Sequence, residues 1–403
     1  MKEKVFRIGA VVLFGIIIFA TVFTAVVKNG GNYTEAVAEL EGEPLIKTGK
    51  IYYNKLTRKQ QYIYDTVEKA AEELEMLTEK MPLTAEMTDI DAALGALLSD
   101  APEYFYIDAE SFSLEDYSYT ETNSDGESRE ISGQTLIDGK YTQLKMCYFG
   151  TVEEVQTKRT RLDAAISKSN SLISSLDDEL DIQTAIHDYI IGVCEKAGSD
   201  ITPDSSNAYG ALVEGAANAE GYHKAFKLLL NRAGIISHLT YGKVRGVDSV
   251  WCTVLINDKY YNTDLYEDDL GTQYGDNKLH GVITHAFMNV SDDAISSTHT
   301  GKSELVPKCT DGETYYYLKG LISTNANMTE KLIDEQLINF VKYKKHCIEV
   351  FCDYTPNSSD MENYVYRHFE LLYPEYECTA TLIHPKEGVN AYSVHVDYSL
   401  KDE

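Results

Sequence analysis

Residues 206–230 read SNAYGALVEGAANAEGYHKAFKLLL, from Ser206 to Leu230. From about Ala219 the apolar residues settle into helical spacing, which runs to Ala233 and is stopped at Gly234. Upstream, Ile182, Ala185, Ile186, Tyr189, Ile190 and Val193 share one face of an earlier helix, and a loop around Pro203 and Ser206 separates the two. Downstream the period changes to two. Strands are expected at 237–244, 250–256 and 259–264, with Asn257-Asp258 as a tight hairpin between the last two.

Toward the N-terminus, Thr57 and Gln60 have the spacing of a capping box. They precede a helix in which Ile63, Val67, Ala71, Leu74 and Leu77 keep helical spacing up to Pro82. A second helix puts Ile90, Ala93, Leu94, Leu97 and Leu98 on one face and stops at Pro102. Strands are expected at 104–107, around 112–119 and over 134–149, with a turn at Asp125-Gly126. Beyond about residue 310 the pattern predicts a helix near 330–343, a strand at 348–351, a helix over 359–372 and two closing strands ending near Tyr398. The expected organisation is an N-terminal α/β domain at 51–150, a core at 151–305 and a C-terminal α+β domain at 306–403.

Residues 8–27 are twenty positions without a charge. At about 1.5 Å per residue they cover roughly 30 Å, the thickness of a bilayer's hydrocarbon core. Lys2, Lys4 and Arg7 precede the run and only Lys28 closely follows it. The expectation is a cytoplasmic N-terminus at 1–7, a transmembrane anchor at 8–27, a spacer at 28–50 and an extracellular remainder. A cleaved signal peptide is the alternative, with an apolar region of usually about 7 to 15 residues and a small-x-small site. The best such site here ends at Ala25 and has Phe23 where a small residue is wanted. Both readings place the remainder outside.

The net charge of -28 argues against a nucleic-acid partner, because phosphate binding needs a basic patch. The seven cysteines include no CxxC pair and suggest neither a disulfide framework nor a zinc site. Cys347 and Cys352, five apart in a strand-like stretch, point to opposite faces and do not bridge. Thirty tyrosines against twelve phenylalanines read first as half-buried strand residues. A stacking surface for a sugar or peptide is the other reading.

The stretch from Ser206 to Gly215, running into Glu220-Gly221-Tyr222-His223-Lys224-Ala225-Phe226, closely resembles the bacterial transglutaminase-like family, whose fold is shared with papain-type cysteine proteases. Ile186-His187-Asp188-Tyr189-Ile190 resembles that family's helix before the active site. Lys259-Tyr260-Tyr261-Asn262-Thr263-Asp264 resembles its last catalytic strand, and residues 286–292 a strand that commonly follows. Residues 97–108 resemble a segment that often precedes the core, so the resemblance covers roughly 50 to 300. It implies an α+β papain-like transglutaminase core, a helix packed on an antiparallel sheet.

The family's chemistry uses a cysteine at the N-terminus of the core helix, a histidine on the next strand and an aspartate on the strand after. Aligned on Gly215 and Glu220-Gly221-Tyr222, the cysteine position is Ala219; aligned on Trp251, the histidine position is Ser249. Only Asp264 is retained. Loss of one triad member costs several orders of magnitude in such systems, so the resemblance implies a pseudoenzyme. The vacated groove is then a candidate cleft lined by Tyr222, His223 and Trp251, taking an extracellular peptide, protein or cell-wall ligand. Ser249 and Asp264 are expected to face Ala219 and to approach within hydrogen-bonding or one-water distance. Cys252 is expected on the opposite strand face from Ser249 and Trp251, as a small buried hydrophobe. His187 reads as packing or capping within its helix pair, and His280, His285 and His299 show no zinc-ligand motif; neither metal nor cofactor is expected. Two rivals stand beside this reading: an active cysteine protease or acyl transferase with its catalytic residues elsewhere, and a structural surface spacer.

Overall fold

The computed structural model describes residue 40 and residues 42–122, 126–198, 202–271, 283–343, 345–383 and 390–401. The expected anchor at 8–27, most of the spacer, His280 and Asp125 lie outside the described residues. Among those described, no helix is long and apolar enough to cross a membrane. The chain divides into two compact units: one takes Tyr52–Leu97 and Tyr106–Phe149, and the other takes Leu98–Phe105 and Gly150–Glu403.

In the first unit, helix α1 (Arg58–Glu73) carries the expected capping box. The Thr57 hydroxyl accepts from the Gln60 N–H at 3.3 Å, and the Gln60 side chain accepts from the Thr57 N–H at 3.0 Å. The helix buries Ile63, Tyr64, Val67, Ala70 and Ala71 and stops at Leu74, whose φ of 54° ends the helical path before Leu77. Helix α2 (Met87–Asp100) follows. Strands β1 (Tyr117–Thr122) and β2 (Ser128–Gly133) form an antiparallel pair in which Thr122 faces Ser128. Two expected strands are corrected. At 104–107 a 3₁₀ turn over Pro102–Tyr104 takes the first residue, and only Ile107 pairs, in a single antiparallel bridge with Tyr148. Over 134–149 only the pair Leu136–Ile137 with Tyr141–Thr142 is regular.

The second unit holds helices α3 (Val152–Ile173), α4 (Glu179–Val193) and α5 (Ala219–Arg232). Strands β3 (Ser237–Val244), β4 (Val247–Ile256), β5 (Lys259–Thr263) and β6 (His299–Thr300) make an antiparallel sheet in the order β6-β3-β4-β5. Asn257 and Asp258 join β4 to β5 with φ of 49° and 65°, the positive pair that a two-residue hairpin with the native twist requires. Arg245 and Gly246 do the same between β3 and β4, with φ of 50° and 84°. That second hairpin extends β4 three residues beyond the expected start. Residues 286–292 are not a regular strand; a single bridge joins Asn262 to Val290, and Asn289 at φ 54° breaks the extended path.

Strands β7 (Ile322–Ser323), β8 (Cys347–Cys352), β9 (Tyr376–Ile383) and β10 (Ala391–Leu400) form the other large sheet, in the order β7-β8-β10-β9. Helices α6 (Ala326–Leu337) and α7 (Ser358–Leu372) pack on it through Leu332, Ile333, Val365 and Phe369, against Ile348, Val350, Val394 and Val396. Helix α6 starts four residues before its expected place because Asn325 caps it, accepting from the Met328 N–H at 3.1 Å. Tyr315–Leu318 is a one-turn helix with Tyr315 and Tyr316 buried, so this tyrosine cluster is not a strand. All seven cysteines are free.

Candidate functional site

Helix α5 begins at Ala219 because Asn218 caps it. The Asn218 side chain accepts from the Gly221 N–H at 3.1 Å and donates to the Ser206 hydroxyl at 2.7 Å. Gly221 has no room for a side chain, since a Cβ there would lie 2.6 Å from the Ser205 carbonyl oxygen and 2.7 Å from Ala217 Cβ. The helix start is thereby pressed onto the preceding loop, with Ala219 at the edge of an open cleft of about 940 Å³. Glu220, Tyr241, Ser249, Tyr266 and Glu267 also line this cleft, and Arg245 pairs with Glu267 there.

Asp264 sits one residue beyond β5 and caps the short helix Leu265–Asp268, accepting from the Glu267 N–H at 3.0 Å. It is 3 % exposed. Its other oxygen lies 3.0 Å from His299 Nε2, and His223 Nε2 lies 3.3 Å from the capping oxygen. Burial alone would raise this carboxyl; the facing His299 imidazole holds it well below the usual carboxylate range. Among the described residues no hydrogen bond joins Ser249 to Asp264; the imidazoles that stand beside Asp264 come from β6 and from α5.

The strand phase is corrected as well. Cys252 Sγ lies 3.5 Å from the His223 carbonyl oxygen, so Cys252 faces α5. Trp251, one residue earlier, points the other way, donating from Nε1 to Asn262 at 3.0 Å and meeting His299 edge-on at 5.0 Å. By alternation Ser249 shares the face of Trp251. It pairs with Gly242 toward the turn end of the β3–β4 hairpin and reaches the cleft there. Gly242 is required opposite Trp251, because a Cβ would lie 2.6 Å from the indole and 2.7 Å from the Thr300 carbonyl oxygen.

The three side chains expected to wall the cleft are core residues. Tyr222 is fully buried and donates to the Cys194 carbonyl and the Asp269 carboxylate, both at 2.8 Å. His223 is fully buried; Nδ1 donates to the Ala219 carbonyl at 2.6 Å, and Nε2 accepts from the Leu265 N–H at 3.1 Å. Trp251 is 1 % exposed and borders a separate cavity of about 530 Å³ beside His299 and Lys302. Helical and strand periodicity place such residues on a face, but not at the rim or the centre of that face.

One polar cluster lies outside anything that the sequence pattern signals. His187 and Asp188 on α4 meet His285, which follows the short helix after β5 by some seventeen positions; the three could hold a metal ion. The expectation that His187 only packs or caps within its helix pair is corrected by its contact with Asp268, at 3.3 Å from Nε2. No spacing motif could have revealed the group, because His285 comes from a segment 97 residues away from Asp188.

No protein-family model matches the chain, and no curated protein matches it. Solved structures with some likeness include a candidate cysteine protease from Cytophaga hutchinsonii, at 10% identity and a TM-score of 0.24, covering 40% of this chain and 68% of that one. A protein described as a TGase has 12% identity and a TM-score of 0.25, covering 39% of this chain and 45% of its own. A candidate protease from Parabacteroides distasonis has 10% identity and a TM-score of 0.21, covering 73% and 65%. At such scores the likeness carries no argument about activity.

Proposed function

We propose that this chain is a transglutaminase-like pseudoenzyme, held at the outer face of a membrane by residues 8–27, whose cleft beside Ala219 binds an extended peptide or protein segment. The observation that carries the reading is the position of Ala219. It is the first residue of α5 and lies on the cleft, where a helix N-terminus would favour a thiolate, yet it offers only a methyl group. The cleft lining contains no cysteine. Two thiols near the core helix are poor nucleophiles: burial pushes Cys194 up to about 12 and raises Cys252 further. An open cleft of about 940 Å³ speaks for a binding role over a filled, purely structural spacer. Anchoring and outward orientation rest on the uncharged run at 8–27 and on the Lys and Arg residues before it.

The test has two arms. The unaltered protein should neither hydrolyse peptides nor transfer acyl groups above the buffer rate. A photo-crosslinkable peptide library should label residues around Ala219, and Ala219→Trp, which fills the cleft, should abolish the labelling. Turnover that disappears in Cys252→Ala would overturn the pseudoenzyme reading, and labelling indifferent to Ala219→Trp would overturn the binding role.

A further inference from the structure

The His187, Asp188 and His285 cluster is unusual in how its hydrogen-bonding capacity is arranged. One oxygen of Asp188 lies 2.9 Å from His187 Nδ1 and 2.9 Å from His285 Nε2. The far nitrogen of each ring faces a different carboxylate. His187 Nε2 lies 3.3 Å from Asp268, and His285 Nδ1 lies against Glu349. Glu349 is fixed as an acceptor, because it also takes the His285 backbone N–H at 2.9 Å, the Tyr316 hydroxyl at 2.9 Å and the Ser393 hydroxyl at 3.3 Å.

A neutral imidazole carries one N–H. When both far carboxylates receive that proton, His187 Nδ1 and His285 Nε2 are left as lone pairs aimed at an anionic oxygen. Either the rings take second protons, or the buried Asp268 carries the proton toward His187 Nε2, or a cation joins the three atoms. Two imidazolium rings stacked with centroids 4.9 Å apart, in a buried place, repel each other. One divalent ion satisfies all three donors at once. Imidazoles whose outer nitrogens are held by carboxylates are also the usual supporting arrangement around a bound metal. The His285 ring is fixed further by Tyr315, stacked on it at 4.1 Å.

We propose that His187, Asp188 and His285 form a binding site for one divalent first-row transition ion. Two imidazole nitrogens and one carboxylate oxygen suit zinc and its neighbours rather than calcium or magnesium, which prefer oxygen ligands throughout. The three atoms lie within 4.8 Å of one another. Metal–nitrogen bonds of about 2.0–2.1 Å need only a small turn of Asp188 to admit the ion. Asp188 has that freedom and supplies the entry path, since its side chain is 40% exposed while those of His187 and His285 are 0% and 7%. The bound ion ties α4 to the segment around His285 and, through Glu349, to β8.

The test uses the full chain without an affinity tag, stripped with a chelator and titrated with zinc and then cobalt(II). The expected result is one ion per chain, with visible cobalt absorption much stronger than that of the hydrated ion. Asp188→Asn and His285→Gln should each weaken binding at least about tenfold, and Glu349→Gln, which touches only the far side of His285, by about 10- to 100-fold. Zinc should raise the melting temperature of the parent protein but not of Asp188→Asn, whose partly exposed site makes it the variant safest to fold. Absence of stoichiometric uptake overturns the proposal. So does uptake that Asp188→Asn and His285→Gln leave unchanged, which would assign the ions to the acidic surface or to the thiols.

Discussion

Asp264 and His299, 35 residues apart in sequence, meet at 3.0 Å inside the second unit, beneath the edge of Trp251. The contact keeps a buried carboxylate ionised and joins β6, at one side of its sheet, to the end of β5 at the other. Asp264 thus holds a histidine of β6 while it caps the short helix that follows β5.

Breaking the pair leaves one oxygen of a buried carboxylate without its partner. His299→Phe should destabilise the protein by about 1–3 kcal/mol, because that oxygen of Asp264 is left buried and unsatisfied. Asp264→Asn keeps the helix cap and should cost less, and the double variant should cost less than the two single changes added together. Urea unfolding of the four proteins measures this. Simple additivity would mean that the two side chains do not interact.

Asp264 also predicts a pH dependence of definite sign. Its folded carboxyl lies below the ordinary value of about 3.9, so its contribution is complete above that pH and is lost as pH falls through the folded value. The stability gap between the parent and Asp264→Asn should be constant from neutral pH down to about 4.5 and should close only in stronger acid. A gap that narrows between pH 7 and 5 would place the control in other groups.

His238 should act with the same sign at milder pH. It is 2 % exposed, its Nδ1 has no hydrogen-bond partner among the described residues, and burial with the nearby Lys227 charge pushes it down to about 3. The unfolded chain takes up a proton near pH 6.5, which the folded chain refuses until about pH 3. Stability is therefore lost steadily as pH falls between those values and is unaffected above them. His238→Phe should flatten the slope between pH 6.5 and 4.5, as read from urea midpoints; an unchanged slope would show that the ring becomes protonated within the fold.

Gly221 and Gly242 are the positions where a single methyl group should do most damage. At Gly221 the obstacle is the Ser205 carbonyl, which belongs to the backbone and has little freedom to move. At Gly242 it is the fully packed Trp251 ring and the Thr300 carbonyl. Each alanine substitution should cost about 1–3 kcal/mol by overpacking. Gly234, with open space around it, should lose only the cost of its left-handed φ of 84°. Thermal melting of the three variants ranks them, and a milder effect at Gly221 than at Gly234 would contradict the close approach.

What could be read in the sequence was local. The capping box at Thr57, the start of α5 at Ala219 and the Asn257-Asp258 hairpin depend on residues within a few positions of one another, and the structure has all three. The 104–107 segment carries the aromatic and β-branched residues that signal a strand, but a 3₁₀ turn takes its first residue and leaves only Ile107 paired. The phase of β4 could not be fixed from alternation alone, which separates Trp251 from Cys252 but does not say which of them meets α5. His299 with Asp264, and His285 with Asp188, are joined only by tertiary folding. Neither pair lies at a spacing that a motif could register.

The proposed cleft is best tested by placing a thiol and an imidazole in it. Ala219→Cys places a thiol at the first position of α5, where the helix N-terminus lowers its pKa somewhat and exposure to the cleft lets iodoacetamide reach it. Ser249→His places an imidazole on the same cleft, so the double variant should label faster than Ala219→Cys alone at neutral pH and lose less of that rate as pH falls. Turnover should still be absent. Asp264 remains committed to His299 and cannot orient the new ring, which leaves the imidazole without the support that fixes its tautomer. Labelling rate against pH for the single and double variants decides the matter. Identical profiles would mean that positions 219 and 249 share a cleft without converging, and peptide hydrolysis by the double variant would mean that Asp264 is dispensable for orientation.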